Sequence, residues 1–144
     1  MIVKRERLDY LVDIQEAVGS ILDFTKGMSW EQFSQDRKTL YAVGCAFEIA
    51  GEATKKVPMP LRKRHAKLPW RQMAGMRDKL IHECFGVNYQ VLWKTVQTDI
   101  PRLQLQIAKV LKQESKKARR TRTKTNVVRE KKSGQAALRV RALT

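Results

Sequence analysis

The sequence predicts an all-α protein, an antiparallel helical bundle followed by a basic tail. Three observations predict it. Apolar residues recur at three- and four-residue spacing along several long stretches, the period of a helix with one buried face. Nowhere do five or more residues alternate cleanly between apolar and polar, so no convincing strand is found. The apolar pattern stops near Gln113, where Lys and Arg take over.

Leu8, Leu11, Val12, Val18, Ile21 and Leu22 place a first amphipathic helix over residues 5–25. Residues 25–29 break it, and Ser29 with Gln32 fits a capping box for a short helical turn beginning at Trp30. Asp36 is placed to cap the next helix. Leu40, Val43, Phe47, Ala50 and Thr54 form its stripe over residues 37–56, and Pro58 and Pro60 end it. A basic connector follows, with one helical turn around residues 61–66. Residues 70–83 suit a third main helix with Trp70, Met73, Met76 and Leu80 on its apolar side, stopped by Gly86. Val91, Leu92, Val96, Leu103, Ile107, Val110 and Leu111 support a last helix to about residue 113, which Pro101 should kink or divide.

The organisation is therefore a helical domain over 1–113 and a basic tail over 114–144. The net charge is +16 across 144 residues, with 30 Lys and Arg against 14 Asp and Glu. Of these, 11 basic and 2 acidic side chains lie in 114–144, so more than half the excess charge sits in the last fifth of the chain. Such a block has almost nothing to bury and is expected to stay disordered or extended, or to fold on a partner. It is either a solvated tail or one that contacts phosphates or an acidic protein. With no aromatic residue to stack on bases, it is not suited to reading single-stranded sequence.

At 42% hydrophobic the chain can build a core, and at 31% charged, with no apolar run near the roughly 20 residues a membrane span needs, it is not expected in a membrane. The start, Met1-Ile2-Val3-Lys4-Arg5-Glu6-Arg7, is charged at once and leads to no apolar signal region, so the expected location is the cytoplasm. The two cysteines, Cys45 and Cys84, do not make a metal-ligand spacing and would stay thiols in a reducing compartment. No metal and no cofactor is expected.

The stretch with the most chemical content is Ala74-Gly75-Met76-Arg77-Asp78-Lys79-Leu80-Ile81-His82-Glu83-Cys84-Phe85-Gly86-Val87-Asn88. On a helix, Asp78 and His82 are four apart and share a face, where the carboxylate would orient the imidazole and raise its pKa. Arg77 lies about 140° around from His82 by the helical period. A long Arg can still swing toward the same pocket, and two copies across a dimer axis could share one cleft. Arg and His suit metal-independent RNA cleavage: His accepts a proton from a 2′-hydroxyl, and Arg holds the phosphate oxygens. By spacing alone, such a pair is also what an ordinary helix surface or a buried hydrogen-bonded pair presents.

The stretch resembles the R-x4-H-x-Y signature of HepT-like proteins, a branch of the HEPN superfamily. The likeness extends through Tyr10-Leu11-Val12-Asp13-Ile14-Gln15-Glu16-Ala17, Phe33, Asp36, Ala42-Val43 and Glu48-Ile49-Ala50-Gly51-Glu52-Ala53-Thr54-Lys55. It continues through Leu68-Pro69-Trp70, Leu92-Trp93-Lys94-Thr95-Val96 and Asp99-Ile100-Pro101, covering residues 5–113 in order. The basic tail is not part of it. The resemblance implies a helical homodimer of HEPN type with two motifs facing a shared cleft. It further implies the toxin component of a toxin–antitoxin module, partnered by a minimal nucleotidyltransferase antitoxin and acting as a ribonuclease. Arg77 and His82 take the signature positions as catalytic residues, and Asp78 takes the polar position after the Arg. In the family, the antitoxin transfers AMP from ATP to the motif tyrosine. Here Cys84 stands at that modification-site position, and Asn88 stands where Asp is usual. A thiol is a poor stable AMP acceptor, so the alternative reading is a non-catalytic dimeric binding partner or AMPylation target of the nucleotidyltransferase. Glu48 and Glu52 are candidates to line the same cleft, and Gly51 is read as a close packing point between helices.

Overall fold

The computed structural model describes residues 5–82 and 88–142, with the side chains of 79–82 and 136–142 outside the description. Among the described residues there are seven helices and no strand, so the all-α expectation holds. They are α1 (Arg7–Thr25), α2 (Trp30–Gln35), α3 (Arg37–Lys56), α4 (Met59–Arg64), α5 (Trp70–His82), α6 (Tyr89–Thr98) and α7 (Ile100–Ala142). Two compact units are distinguished along the chain, Met1–Leu111 and Lys112–Thr144.

The boundaries follow local chemistry. Lys26 and Gly27 close α1, and Gly27 takes the left-handed φ of 73° that favours glycine. Ser29 then caps α2 reciprocally: its Oγ accepts from the Gln32 N–H at 3.2 Å, and its own N–H donates to Gln32 Oε1 at 3.0 Å. Asp36 caps α3 by accepting from the Thr39 N–H at 3.3 Å and the Thr39 hydroxyl at 2.7 Å. These bonds to the ionised form hold the Asp36 carboxyl below its ordinary value. Pro58 precedes α4 and Pro60 falls in its first turn, where a missing N–H leaves no helical bond unmade, so α4 begins earlier than the turn expected over 61–66. Asp99 separates α6 from α7, and Pro101 sits in the first turn of α7, which is the division expected of it. The stop assigned to Gly86 lies outside the described residues.

The first unit has one continuous core, with α3 packed against α1, α2 and α5. Phe47, Leu11, Ile14, Ile21 and Met73 are essentially inaccessible. Ile100, Leu103, Ile107 and Val110 bring the start of α7 into the same core. Trp93 of α6 stacks on Phe33 of α2 at 4.8 Å between ring centroids, with Trp30 beside it, so these aromatics are packing residues. The Trp70 indole N–H donates to the His65 carbonyl at 2.9 Å, satisfying its one donor as the ring is buried.

The second unit is helix through Ala142. Residues 114–142, expected from composition to be disordered or extended, differ in this respect. The reason is local: Lys, Arg, Gln, Glu and Ala are good helix formers, no proline interrupts them, and Gly134 is the sole glycine. Three hydroxyls satisfy their donors within the helix by donating four residues back, Thr121 to Lys117, Thr123 to Arg119 and Thr125 to Thr121, at 2.9–3.0 Å. From residue 119 to 135 every side chain is exposed.

Candidate functional site

Arg77 is set by the crossing of α3 and α5. A Cβ placed on Gly51 would come within 3.0 Å of both the Cβ and the backbone N of Arg77, so glycine is what allows the two helices to approach here. The packing reading of Gly51 is thereby explained. One residue on, Glu52 projects from α3 and accepts a hydrogen bond from Arg77 Nη1, forming an ion pair. Both side chains remain more than a third exposed, 38% for Arg77 and 39% for Glu52. Half-exposed pairs contribute little net stability, about 0–1 kcal/mol, because water competes for both partners. The guanidinium is held in place but not locked away.

The pair opens onto a groove of about 350 Å³. Glu48, Glu52 and Lys56 recur at four-residue spacing on α3 and form its floor, with Ile49 and Ala53. Its other wall is the start of α1, with Tyr10, Asp13 and the preceding Arg5. The start of α1 therefore lies beside the end of α3, and these two helices run antiparallel. Arg5 bonds Asp13 at 2.7 Å and lies 5.3 Å from the Tyr10 ring centroid, which ties the chain entry to the groove rim. The described charges lining the groove balance: Arg5, Lys56 and Arg77 face Asp13, Glu48 and Glu52. By its described lining this groove is not a positive funnel, and a phosphate must compete with the Glu52 carboxylate for Arg77.

Asp78 lies on a neighbouring part of α5, where Lys55 Nζ donates to its Oδ1 at 2.9 Å. This is a second charged link between α3 and α5. His82 is the last residue of α5, one helical turn beyond Asp78, and its side chain lies outside the described residues. Cys84, the modification-site position, lies outside them too. The structure thus joins Arg77 to Glu52 and Asp78 to Lys55, and the placement of the imidazole relative to either rests on helical register alone. Lys55, Arg5 and Asp13 were not singled out from sequence. The recurrence of Glu48, Glu52 and Lys56 was legible as one polar face of α3, but a polar face is also what solvent selects. Among the described residues no cluster of three or more His, Cys, Asp or Glu could hold a metal, and no helix is long and apolar enough to cross a membrane.

The family model described as "Ribonuclease HepT-like" matches residues 14–110. A protein of Thermococcus cleftensis named "Probable ribonuclease HepT" is 50% identical over 110 residues, 76% of this chain and all of the relative. "Putative RNase MJ1216" of Methanocaldococcus jannaschii is 40% identical over 109 residues, 76% of this chain and 90% of the relative. "Putative RNase TTE0752" of Caldanaerobacter subterraneus subsp. tengcongensis is 43% identical over 105 residues, 73% of this chain and 94% of the relative. No solved structure gives a significant match. The chain belongs to the HepT-like family, and the family match ends before the second unit begins.

Proposed function

We propose, from this membership, that the chain is a metal-independent endoribonuclease and the toxin component of a two-gene module, acting as a cytoplasmic homodimer. A minimal nucleotidyltransferase antitoxin is its partner, and RNA is its substrate. The observation that carries the reading is the placement of Arg77. It stands at the α3–α5 crossing, half exposed over an open groove, in a pair weak enough for a phosphate to break.

Arg77 binds the non-bridging oxygens of the scissile phosphate through its planar fork of donors and stabilises the extra charge of the transition state. His82 takes the proton of the neighbouring 2′-hydroxyl. The 2′-oxygen then attacks phosphorus, the bond to the 5′-oxygen breaks, and a water protonates the departing oxygen, leaving a 2′,3′-cyclic phosphate and a 5′-hydroxyl; the hydroxide so formed takes up the proton held by His82. Asp78 orients the imidazole one turn away when it is released from Lys55. Two copies of the motif across the dimer axis share one cleft.

With cysteine at position 84, restraint by the antitoxin works by binding and not by stable AMP transfer to that residue. Incubation with ATP and the cognate nucleotidyltransferase, read by intact mass, should show a complex without an AMP adduct on Cys84.

RNA integrity after expression of the wild type and His82→Ala in a host lacking the partner tests the central reading. RNA loss with wild type alone supports it. Intact RNA with both, each folded and dimeric, overturns it in favour of a non-catalytic binding partner. One observation favours that second reading: Glu52 already occupies Arg77.

A further inference from the structure

The balanced charge of the groove leaves open what draws a polyanion to this chain. Residues 112–132 hold 10 Lys and Arg and 2 Glu, a net +8 on one helix that spans roughly 30 Å at 1.5 Å per residue. By the helical period, 7 of those 10 cations fall within an arc of roughly 160°. They are also a burden on the helix. Lys112 and Lys116, Lys116 and Arg120, and Arg120 and Lys124 are like charges four apart, each pair opposing the helix. With only Glu114 and Glu130 in the segment, this repulsion has little internal relief. A line of external anions would relieve it.

The other side chains narrow the kind of anion. Between residues 112 and 135, Val127 and Val128 are the only large apolar residues exposed. That is too little for the apolar face that lies in a membrane interface, or for the buried anchors of a protein interface. No aromatic is present to stack on bases. The hydroxyls of Thr121, Thr123 and Thr125 already spend their protons on backbone carbonyls. What remains is a dense row of Lys and Arg donors, and an evenly spaced row of anions over this length is what a nucleic-acid backbone supplies.

We propose that the second unit is a sequence-independent arm that binds the phosphate backbone of RNA. Lys116, Lys117, Arg119, Arg120 and Lys124 on that face, with Arg122 about 60° beyond its edge, make the contacts. The arm lies outside the family match, so it distinguishes this chain from a bare HepT-like domain. It extends the reading of RNA as substrate, yet its binding does not require cleavage.

The test uses the full chain carrying His82→Ala, so that RNA stays intact, with and without Gln at those six positions. Anisotropy with a labelled single-stranded RNA long enough to span the helix is followed between about 50 and 200 mM KCl. The parent should bind with a steep salt dependence. Neutralising six contacts should weaken binding at the lower salt by about tenfold or more and reduce the slope of log K against log salt by about 4. Lys at positions 119, 120 and 122 should retain the slope, because charge and not side-chain shape is read. Unchanged affinity and slope in the Gln variant overturn the proposal. So does displacement of RNA by poly-glutamate as effectively as by unlabelled RNA at equal anion concentration, which would point to an acidic protein. With His82 restored, the six-Gln variant should raise KM and leave kcat. Absence of cleavage in both forms sinks the ribonuclease reading while leaving the affinity result standing.

Discussion

From residue 119 to 135 every side chain meets solvent, whereas the first unit encloses Phe33, Phe47, Leu61 and Met73 with almost no accessible surface. Both regions are helical, but for different reasons. The bundle's helices are amphipathic and gain stability by burying one face. From residue 119 to 135 the second unit's helix rests on local propensity, against the repulsion of its own cations. The contrast assigns stability and site geometry to one region and long-range electrostatics to the other.

The strongest way to break that division is in the core. Phe47→Ala should cost about 3–5 kcal/mol through lost burial and the cavity left behind, read as a lower urea midpoint. A midpoint close to wild type would show that α3 is not the central helix of the bundle.

Gly51→Ala should cost less. Crowding against Arg77 opposes it by about 1–3 kcal/mol, while better helix propensity returns about 1 kcal/mol. A net loss of up to about 2 kcal/mol is expected, with a larger proportional loss of RNA cleavage because Arg77 is pushed out of place. Full cleavage with reduced stability would separate the crossing from the site.

Glu52→Gln should change stability by no more than about 1 kcal/mol. It should tighten binding of a phosphate-containing inhibitor a few-fold, since the carboxylate no longer competes for Arg77; weaker binding would mean that Glu52 positions Arg77 rather than restrains it. The six-position Gln variant of the second unit should leave the unfolding free energy of the bundle, measured in urea, within about 0.5 kcal/mol of the parent. A larger shift would break the comparison at its base.

A pH-dependent effect is expected at Asp36. Its folded pKa is lowered by the two bonds from Thr39, so its stabilisation is present above the unfolded value and lost as pH falls through the folded one. The melting temperature of Asp36→Ala should therefore lie below that of wild type at neutral pH, and the gap should close below the ordinary carboxylate value of 3.8. A gap that persists in acid would assign the effect to helix propensity and not to the charged cap.

Much of this was legible in the residues. The stripe through Leu40, Val43, Phe47 and Ala50 located α3, and Ser29, Asp36 and Pro101 marked boundaries, because caps and proline act within a few residues of themselves. Arg77 and the near approach at Gly51 could be picked out, but not the bond between Arg77 and Glu52, which are 25 residues apart. The link from Lys55 to Asp78 was hidden for the same reason. The second unit was legible in charge and exposure but not in conformation: a low-hydropathy block signals that nothing is buried, and says less about whether the backbone coils.

The sequence by itself determined the all-α class, the caps of α2 and α3, the division before Pro101 and the concentration of charge beyond residue 113, and its family resemblance singled out Arg77 and His82. Each of these depends on periodicity, on local hydrogen bonding or on composition, all of which are written along the chain. Only the tertiary structure decided that Arg77 meets Glu52 over a charge-balanced groove and that Asp78 meets Lys55. Those pairings depend on which turn of α3 crosses which turn of α5, and the crossing is set by the packing of side chains far apart in sequence around a glycine that has none.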